Sequence, residues 1–377
     1  VFGQILCHEG GQMSMDLPII REQTAGIYIH VPFCAKKCAY CAFYSGAYSA
    51  RNAAGYVDAV KRNLRYYSDK SRITDTIYFG GGTPSLLSAV QLGDILSCAA
   101  ENFCIAPDTE ITLEANPSTL SPKRLAEFRG IGINRLSIGV QSMNDEELKF
   151  LGRAHTAEHA KKAVLDAYDT GFENISCDLM AAIPNQTLGS LKRSIEELSA
   201  LPIQHVSAYL LKTEAGTPFD CDEIKRQLPT DDEAAELYET MVKELESHGF
   251  EQYEVSNFAK KGFESRHNCR YWKCSDYIGI GPSAHSCNNG RRFAAECTTD
   301  EFIVSDIQPT VITDESPCGF EEFSMLRLRL KEGLALSEVP EHRADIEKKL
   351  PPLINAGYVT FDSERVALTS SGFLMSN

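Results

Sequence analysis

Three cysteines with short, unequal spacing carry the strongest chemical signal in this sequence. Cys34, Cys38 and Cys41 form a C-x3-C-x2-C pattern within a chain that has 13 cysteines in all. Iron–sulfur cubanes normally take four thiolates, so three closely spaced thiolates leave one iron without a protein ligand. That iron can bind the amine and the carboxylate of a small molecule. Structural zinc sites usually contain two separated Cys or Cys/His pairs, which this sequence lacks, so the spacing predicts a [4Fe–4S] cluster.

A second signal comes from glycines and polar residues at the ends of predicted strands. A glycine run at 80–82 follows the second strand, where missing Cβ atoms let a ligand approach backbone polar groups. Glu114, Gln141 and Asp178 end or follow the next three strands. In a barrel-like sheet these positions meet at the carboxyl-terminal face, where such folds place their active sites. Each residue alone could be a turn or a structural hydrogen-bonding group, but their recurrence predicts one shared site.

Alternating strand and helix patterns would hold these residues in place. Short β-branched runs alternate with amphipathic stretches, which is typical of βαβ units and a parallel sheet. Six units fall short of the eight in a closed (β/α)8 barrel, so we predict an α/β fold built on a partial (β/α)6 barrel. The predicted strands cover 26–31, 74–79, 110–115, 135–140, 174–179 and 205–210. The predicted helices cover 51–69, 90–102, 122–130, 157–171 and 188–200.

The pattern changes after residue 212 and predicts an extension followed by a small α+β unit of winged-helix type. The extension contains turn signals at 214–218, a helix at 231–249, a strand at 254–258 and a glycine-rich loop at 279–283. The terminal unit contains helices at 320–331 and 345–356 and strands at 359–361 and 365–368.

Domain boundaries follow from these patterns. Residues 1–24 are predicted to be a tail or an upstream extension, since translation could begin at Met13 or Met15. The predicted units are the barrel with its C-terminal extension at 25–298, a linker at 299–318 and the terminal unit at 319–377.

Composition and charge exclude several classes of protein. Hydrophobic residues make up 43% and charged residues 24%, which is ordinary for a globular protein. A net charge of -15 argues against a nucleic-acid partner. No run approaches the roughly 20 apolar residues of a transmembrane segment, although peripheral membrane contact stays open. Cysteines in a long chain without a secretory signal are expected to be thiols or metal ligands, and the expected location is cytoplasmic.

Several motifs together resemble radical S-adenosylmethionine (SAM) proteins. The resemblance is strongest to the family of oxygen-independent coproporphyrinogen oxidases and their HemW-type relatives, and it runs from about residue 27 to the C-terminus. The motifs are Tyr28-Ile-His30-Val-Pro32-Phe33-Cys34, residues 80–85, Glu114-Ala-Asn116-Pro117, Ser137-Ile-Gly139-Val-Gln141-Ser142, Arg153-Ala-His155 and residues 178–184.

The resemblance implies a role for each matching residue. Cys34, Cys38 and Cys41 would ligate the cluster, and Tyr40 would flank the adenine of SAM. The methionine amino end would meet Gly81, Gly82 and Thr83. The other positions that would line the cofactor are Tyr28, Glu114, Gln141, Arg153 and Asp178. These types suit the ligand, since arginine pairs with carboxylates bidentately and aspartate accepts hydrogen bonds from hydroxyls.

A few residues separate two classes of function. The coproporphyrinogen enzymes of this family carry a further cysteine two residues beyond the third cluster ligand, whereas Ala42 and Phe43 follow Cys41 here, which resembles the HemW pattern. The segment His267-Asn268-Cys269-Arg270-Tyr271-Trp272 resembles the H-N-x-x-Y-W motif associated with haem binding in HemW proteins. Histidine is a normal axial haem ligand, and Tyr271 and Trp272 could pack against the macrocycle. The alternative for His267 is a hydrogen-bonded structural histidine.

We therefore predict a HemW-type haem chaperone with a [4Fe–4S] cluster and SAM. Its partners would be haem as cargo, acceptor haemoproteins, and an electron donor if SAM is cleaved. The alternative is an oxygen-independent coproporphyrinogen III dehydrogenase, in which reductive cleavage of SAM yields a radical that abstracts hydrogen from a propionate side chain. Whether the chain is an enzyme is left open, and a structural iron–sulfur protein is the third possibility.

Overall fold

A curved parallel sheet covered by helices forms the larger part of the molecule. The computed structural model describes residues 23–376, so the predicted tail and the start at Met13 or Met15 lie outside the described residues. The first strands and helices are β1 (Thr24–Val31), β2 (Phe33–Cys34), β3 (Gly46–Ala47), α1 (Ala50–Tyr66), β4 (Asp69–Gly81), α2 (Ala89–Asn102) and β5 (Phe103–Ala115). They are followed by α3 (Pro122–Gly130), β6 (Arg135–Gln141), α4 (Asp145–Phe150), α5 (Ala157–Asp169), β7 (Asn174–Ala181), α6 (Leu188–Ser199) and β8 (His205–Leu210).

The order β1-β4-β5-β6-β7-β8 is the predicted partial barrel. Each neighbouring pair in this row is parallel. Alternation along each strand divides its side chains between two faces. On β6, Leu136, Ile138 and Val140 join the apolar layer beneath the helices, while Arg135 and Ser137 point to the barrel interior. The helices therefore bury one face of the sheet and leave a polar interior for chemistry.

Several barrel helices begin at side-chain caps that the sequence encodes. Ser88 and Gln91 form a reciprocal capping box at α2, and Thr187 and Ser190 form another at α6. Such caps satisfy backbone N–H groups that have no partner within the helix. They fix where each helix starts after its strand, and thus the length of the loops at the carboxyl-terminal face.

The sheet continues beyond both edges of the barrel. Downstream of β8 the chain forms α7 (Asp222–Lys225), α8 (Asp231–Ser247), β9 (Glu251–Gln252), β10 (Asn257–Ala259), α9 (Arg266–Trp272), β11 (Tyr277–Ile280), β12 (His285–Asn288) and β13 (Arg291–Ala295). Strands β10 and β9 extend the β8 edge antiparallel. The predicted strand at 254–258 is therefore displaced, since the strand in this region covers Asn257–Ala259.

The prediction of a loop at 279–283 is wrong for its first residues. Gly279 and Ile280 belong to β11, which pairs with β1 in parallel and adds a strand to the barrel edge. A Cβ on Gly279 would lie 2.0 Å from the carbonyl oxygen of His285. Glycine here permits two strands to approach closely, which is a role that composition alone does not separate from a turn.

The predicted linker at 299–318 is also wrong as a description of structure. It contains α10 (Thr299–Val304) and β14 (Thr310–Asp314), and β14 pairs with β13. Phe302 is fully buried and lies 5.6 Å from the ring of Tyr56 on α1. Arg62 donates to the carbonyl oxygen of Ile303 at 2.7 Å. These contacts pack the segment onto the barrel.

The terminal unit contains the predicted helices and strands, together with a short strand and a last helix that were not predicted. Its elements are α11 (Phe320–Arg327), β15 (Leu334–Ala335), α12 (Arg343–Asn355), β16 (Val359–Phe361), β17 (Arg365–Leu368) and α13 (Ser370–Ser376). The strands form an antiparallel sheet in the order β15-β17-β16. Backbone hydrogen bonds from Val255 to Arg329 and from Lys331 to Tyr253 join this unit to the barrel extension. Every helix among residues 23–376 is too short or too polar to span a membrane.

Candidate cofactor site

The three cysteines lie on one loop that leaves the carboxyl end of β1. Cys34 ends β2, which pairs with the short strand β3. The backbone N–H of Cys41 donates to the carbonyl oxygen of Cys38, which closes a tight turn. All three thiols are half-buried and free of disulfides. Burial, with Cys38 and Cys34 close by, raises the pKa of the Cys41 thiol, so a metal has to displace its proton.

The glycine run holds the end of β4 against the cysteine loop. The N–H groups of Gly82 and Thr83 donate to the carbonyl oxygens of Val31 and Phe33, at 2.9 and 2.7 Å. A Cβ on Gly82 would lie 2.6 Å from the Phe33 oxygen, and Gly81 has φ +108°. The Thr83 hydroxyl lies 3.7 Å from the sulfur of Cys34. Glycine is required here because backbone approaches backbone beside the predicted cluster.

Glu114 lies beside the glycine run with both carboxylate oxygens engaged. Oε1 accepts from the hydroxyl of Tyr78 at 2.8 Å, and Oε2 accepts from the N–H of Gly81 at 3.1 Å. Burial raises the pKa of Glu114 to about 7, and the nearby Asp178 acts in the same direction. Its charge is therefore sensitive to pH near neutrality.

Asp178 and Arg135 place opposite charges in the barrel interior. The hydroxyl of Ser137 donates to Oδ1 of Asp178 at 3.1 Å, and burial raises the pKa of this carboxyl. Arg135 is 1% exposed, and its charge favours the ionised forms of both Asp178 and Glu114. The interior can thus hold two carboxylates, Glu114 on β5 and Asp178 on β7, with Arg135 on the strand β6 between them.

Arg153 joins the cysteine loop to the fourth barrel strand. It donates to the carbonyl oxygen of Gly139 at 2.6 Å, and its other terminal nitrogen lies 3.4 Å from both the sulfur of Cys38 and the hydroxyl of Tyr40. Burial raises the pKa of Tyr40, whose ring lies 6.2 Å from that of Phe219. Tyr40 therefore stays neutral, and its ring presents an apolar surface.

These residues fit a [4Fe–4S] cluster with SAM bound to it. Three thiols on one loop can each ligate a different iron of a cubane; no three His, Cys, Asp or Glu side chains among residues 23–376 surround a single metal ion. Gln141 Oε1 and Arg153 Nε are buried and have no protein partner. Buried polar atoms are normally hydrogen-bonded, so both are available to a polar ligand. Gln141 also has φ +72°, a strained backbone that is often found at binding sites.

The predicted haem segment lies elsewhere, at the amino-terminal end of the barrel. His267 on α9 is 1% exposed, and its Nδ1 and Nε2 are hydrogen-bonded to the hydroxyls of Thr76 and Tyr271. Its ring stacks on Tyr78 at 5.2 Å, and burial lowers its pKa to about 3. In this conformation neither nitrogen is free to coordinate iron. The geometry corresponds to the structural alternative for His267.

Sequence reasoning missed some residues of the barrel interior. Tyr78 holds Glu114, while His30 contacts the hydroxyl of Tyr28 through Nδ1 and lies against Gly81. Arg135 was also missed as an interior charge. The available signal was the period of two along each strand, because residues 28 and 30, or 135 and 137, must share a face.

Two family models match the chain. The model described as the radical SAM superfamily matches residues 28–198, and the model described as the HemN C-terminal domain matches residues 320–375. The fold is similar to the solved structure of coproporphyrinogen III oxidase (HemN) from Escherichia coli, with a TM-score of 0.79 and 21% sequence identity. The superposition covers 100% of this chain and 91% of the HemN chain. At that identity the likeness establishes the fold. Fold, cysteine loop and family match together define a radical SAM protein.

More similar relatives identify the branch. The protein named heme chaperone HemW from Lactococcus lactis is 34% identical over 93% of this chain and 94% of its own length. HemW from Escherichia coli is 34% identical over 93% of this chain and 96% of its own. The mitochondrial radical S-adenosyl methionine domain-containing protein 1 of Bos taurus is 39% identical over 73% of this chain and 63% of its own. The chain belongs to the HemW family.

Proposed function

We propose that this chain is a haem chaperone, which binds haem and transfers it to acceptor haemoproteins. The observation that carries the proposal is the match to HemW proteins along 93% of the chain, which includes the terminal unit as well as the barrel. Ala42 and Phe43 after the third cysteine support it, because the coproporphyrinogen enzymes resemble this chain but carry a cysteine at the second of these positions. The fold alone does not distinguish a haem chaperone from a coproporphyrinogen dehydrogenase.

The cofactor site is proposed to bind a [4Fe–4S] cluster through Cys34, Cys38 and Cys41. When bound, such a cluster with one open iron can hold the amine and carboxylate of SAM and supply an electron to it. The electron would come from a separate donor protein. The residues proposed to contact SAM are Tyr28, Tyr40, Gly81, Gly82, Thr83, Glu114, Gln141, Arg153 and Asp178.

The contacts described above support specific tasks for these residues. Glu114 and the backbone at Gly81 lie together, so they suit the amino end of SAM, where Glu114 accepts an N–H. Asp178 has a carboxylate oxygen that suits ribose hydroxyls. Arg153 has a buried Nε without a partner and its Nη1 lies beside Cys38, so the side chain can donate to the SAM carboxylate next to the cluster.

The haem site is proposed beside α9 rather than at the ring of His267. Asn268 and Trp272 are half-buried, and Nε1 of Trp272 is buried without a partner. The same helix forms a wall of a groove of about 780 Å³, which is a usual size for a ligand pocket. Lys273 and Lys331 line this groove and can pair with haem propionates.

Anaerobic reconstitution followed by two parallel assays tests the proposal. The reconstituted protein should bind haem and release it to an apo-haemoprotein, and with SAM, reductant and coproporphyrinogen it should form no protoporphyrinogen. The double substitution Lys273→Glu/Lys331→Glu should weaken haem binding, because it places like charges beside the propionates. Lys243→Glu on α8 is the matched control, since Lys243 is exposed and outside the groove.

Each assay has an outcome that counts against the proposal. Multiple turnover of coproporphyrinogen without a stable haem complex would reject the chaperone and establish the dehydrogenase. Haem binding that is equally strong in the groove variant and the control would keep the chaperone but reject the groove.

A further inference from the structure

Three thiols outside the cofactor site meet where the barrel extension joins the terminal unit. Cys274 lies two residues after α9, Cys287 lies on β12 opposite Tyr277, and Cys318 lies two residues before α11. The side chains of Cys274 and Cys287 are both neighbours of the Cys318 thiol. All three are reduced in this structure. Three chain segments that are distant in sequence therefore bring their thiols close together.

Backbone and charge contacts hold Cys318 in this position. Its N–H donates to Oε2 of Glu322 at 2.7 Å, and Glu322 forms an ion pair with Arg292 on β13 at 2.5 Å. Cys274 and Cys318 both have positive φ, at 55° and 66°. Residues with a side chain adopt this conformation only where surrounding contacts maintain it. The position of Cys318 is thus fixed by the fold.

Exposure differs among the three thiols in a way that orders their reactivity. Cys287 is buried at 4% exposure, whereas Cys274 and Cys318 are half-buried and within reach of a small reagent. The neighbouring Cys274 and burial raise the pKa of Cys318 to about 12, so the Cys318 thiol is mostly protonated at neutral pH. The first attack on a reagent therefore falls to Cys274, and Cys318 acts as its neighbour.

We propose that Cys274, Cys318 and Cys287 form a thiol–disulfide exchange site for a low-molecular-weight disulfide of the glutathione class. The Cys274 thiolate attacks one sulfur of the reagent, which forms a mixed disulfide and releases one glutathione thiolate. Cys318 then attacks the Cys274 sulfur, forms the protein disulfide and passes its proton to the second glutathione thiolate. The protein loses two electrons and the reagent gains two. Cys287 can exchange into the bond at Cys318, which frees Cys274.

The product would tie the terminal unit to the barrel. Cys318 lies two residues before α11, so either disulfide links the start of this unit to the segment after α9 or to β12. Such a link restrains the junction covalently and independently of haem and SAM. Cysteines with distant Cα atoms cannot form a disulfide without backbone movement, whereas these three are neighbours in the fold.

Disulfide mapping on the intact holoprotein tests this site. Protein with its cluster would be equilibrated without oxygen in buffers of increasing glutathione disulfide, alkylated and digested on the amino side of aspartate. Cleavage before Asp276 separates Cys274 from Cys287, and cleavage before Asp314 isolates Cys318. We expect peptides that join Cys318 to Cys274 or Cys287, with unchanged iron content.

Two variants make the result decisive. Cys318→Ser should remove both cross-links and leave Cys274 and Cys287 fully alkylated. Cys104→Ser, which removes an exposed thiol on β5, should leave the cross-links unchanged. Full alkylation of Cys318 at every disulfide concentration would overturn the proposal, and so would a Cys274–Cys287 bond that persists in Cys318→Ser.

Discussion

Glu114 is a buried carboxyl group whose hydrogen bonds favour its charge while burial opposes it. Tyr78 and the N–H of Gly81 donate to it, yet its pKa is about 7 because desolvation outweighs these bonds. Asp178 adds to the effect and Arg135 reduces it. Small changes in pH near 7 therefore change the ionised fraction of Glu114. A ligand that binds only the carboxylate form will shift this equilibrium towards ionisation.

Replacing Glu114 should change how SAM affinity depends on pH. In the wild type, affinity should fall as the pH drops below about 7, because a protonated Glu114 no longer accepts as a carboxylate. Glu114→Gln should bind SAM about 10–100-fold more weakly at pH 8, given roughly 1.5–3 kcal/mol for a hydrogen bond to a charged group. The difference from wild type should shrink towards pH 6, as measured by calorimetric titration of the holoprotein.

Glu254 provides a matched control for this experiment. Burial also raises the pKa of Glu254 to about 7, but Glu254 forms an isolated β-bridge with Leu330 near the terminal unit. Glu254→Gln should keep the pH dependence of SAM binding. If Glu114→Gln kept the wild-type affinity and pH profile, Glu114 would not contact the ligand.

The residue types at the carboxyl-terminal face were predictable from the sequence, but their interior partners were not. Cysteine spacing and the strand-end positions suggested the candidate residues without any knowledge of packing. Tyr78, His30 and Arg135 act through contacts between strands, which depend on register, and register is set by the whole sheet. His267 shows the converse: the motif around it was visible, but the burial that occupies both its nitrogens was not.

At the scale of elements, the turn after β4 is the part of the site with the least space for an added side chain. Gly82 lets this turn approach β2 so closely that the N–H of Thr83 reaches the Phe33 oxygen at 2.7 Å. That contact sets the distance between the glycine run and the loop that carries the cysteines. The turn and the loop are therefore one structural unit, although about 40 residues of sequence separate them.

Gly82→Ala should disturb both stability and cofactor binding. The added Cβ would lie 2.6 Å from the Phe33 oxygen, so the turn has to move away from β2. Overpacking of this kind costs about 1–3 kcal/mol of the free energy of unfolding. Less iron should bind on reconstitution, and SAM should bind more weakly, as measured by iron analysis and titration.

Gly46→Ala is the control at the same place in the fold. Gly46 pairs with Phe33 from the β3 side, and a Cβ there would have open space around it. This variant should reconstitute as the wild type does. Normal iron content and SAM affinity in Gly82→Ala would show that the close approach is unnecessary.

At the scale of the whole molecule, the sequence predicted the barrel well and its extension poorly. The six barrel strands carry a regular alternation of strand and helix, which is a local signal. Beyond β8 the strands are short, and β11 joins the sheet by pairing with β1, which lies far away in the sequence. Their assignment depends on which edge of the sheet is open, and local composition does not contain that information.

The position of α9 connects the two ends of this molecule. The helix closes the amino-terminal end of the barrel, and its N–H groups at Arg266 and His267 donate to Glu110 on β5. Above it, His267 stacks on Tyr78, which donates to Glu114 at the opposite end. Helix α9 thus supports the residues of the cofactor site from the amino-terminal end of the barrel. The same helix forms a wall of the proposed haem groove.

His267→Ala distinguishes this structural role from haem ligation. The substitution leaves the hydroxyls of Thr76 and Tyr271 without their partner and creates a cavity, so the free energy of unfolding should fall by about 2–5 kcal/mol. The Soret band of bound haem should keep its position, because neither nitrogen of His267 is free for iron. His159→Ala on α5, which removes an exposed histidine, should change neither quantity. A shifted Soret band with unchanged stability would instead make His267 the axial ligand and require α9 to rearrange when haem binds.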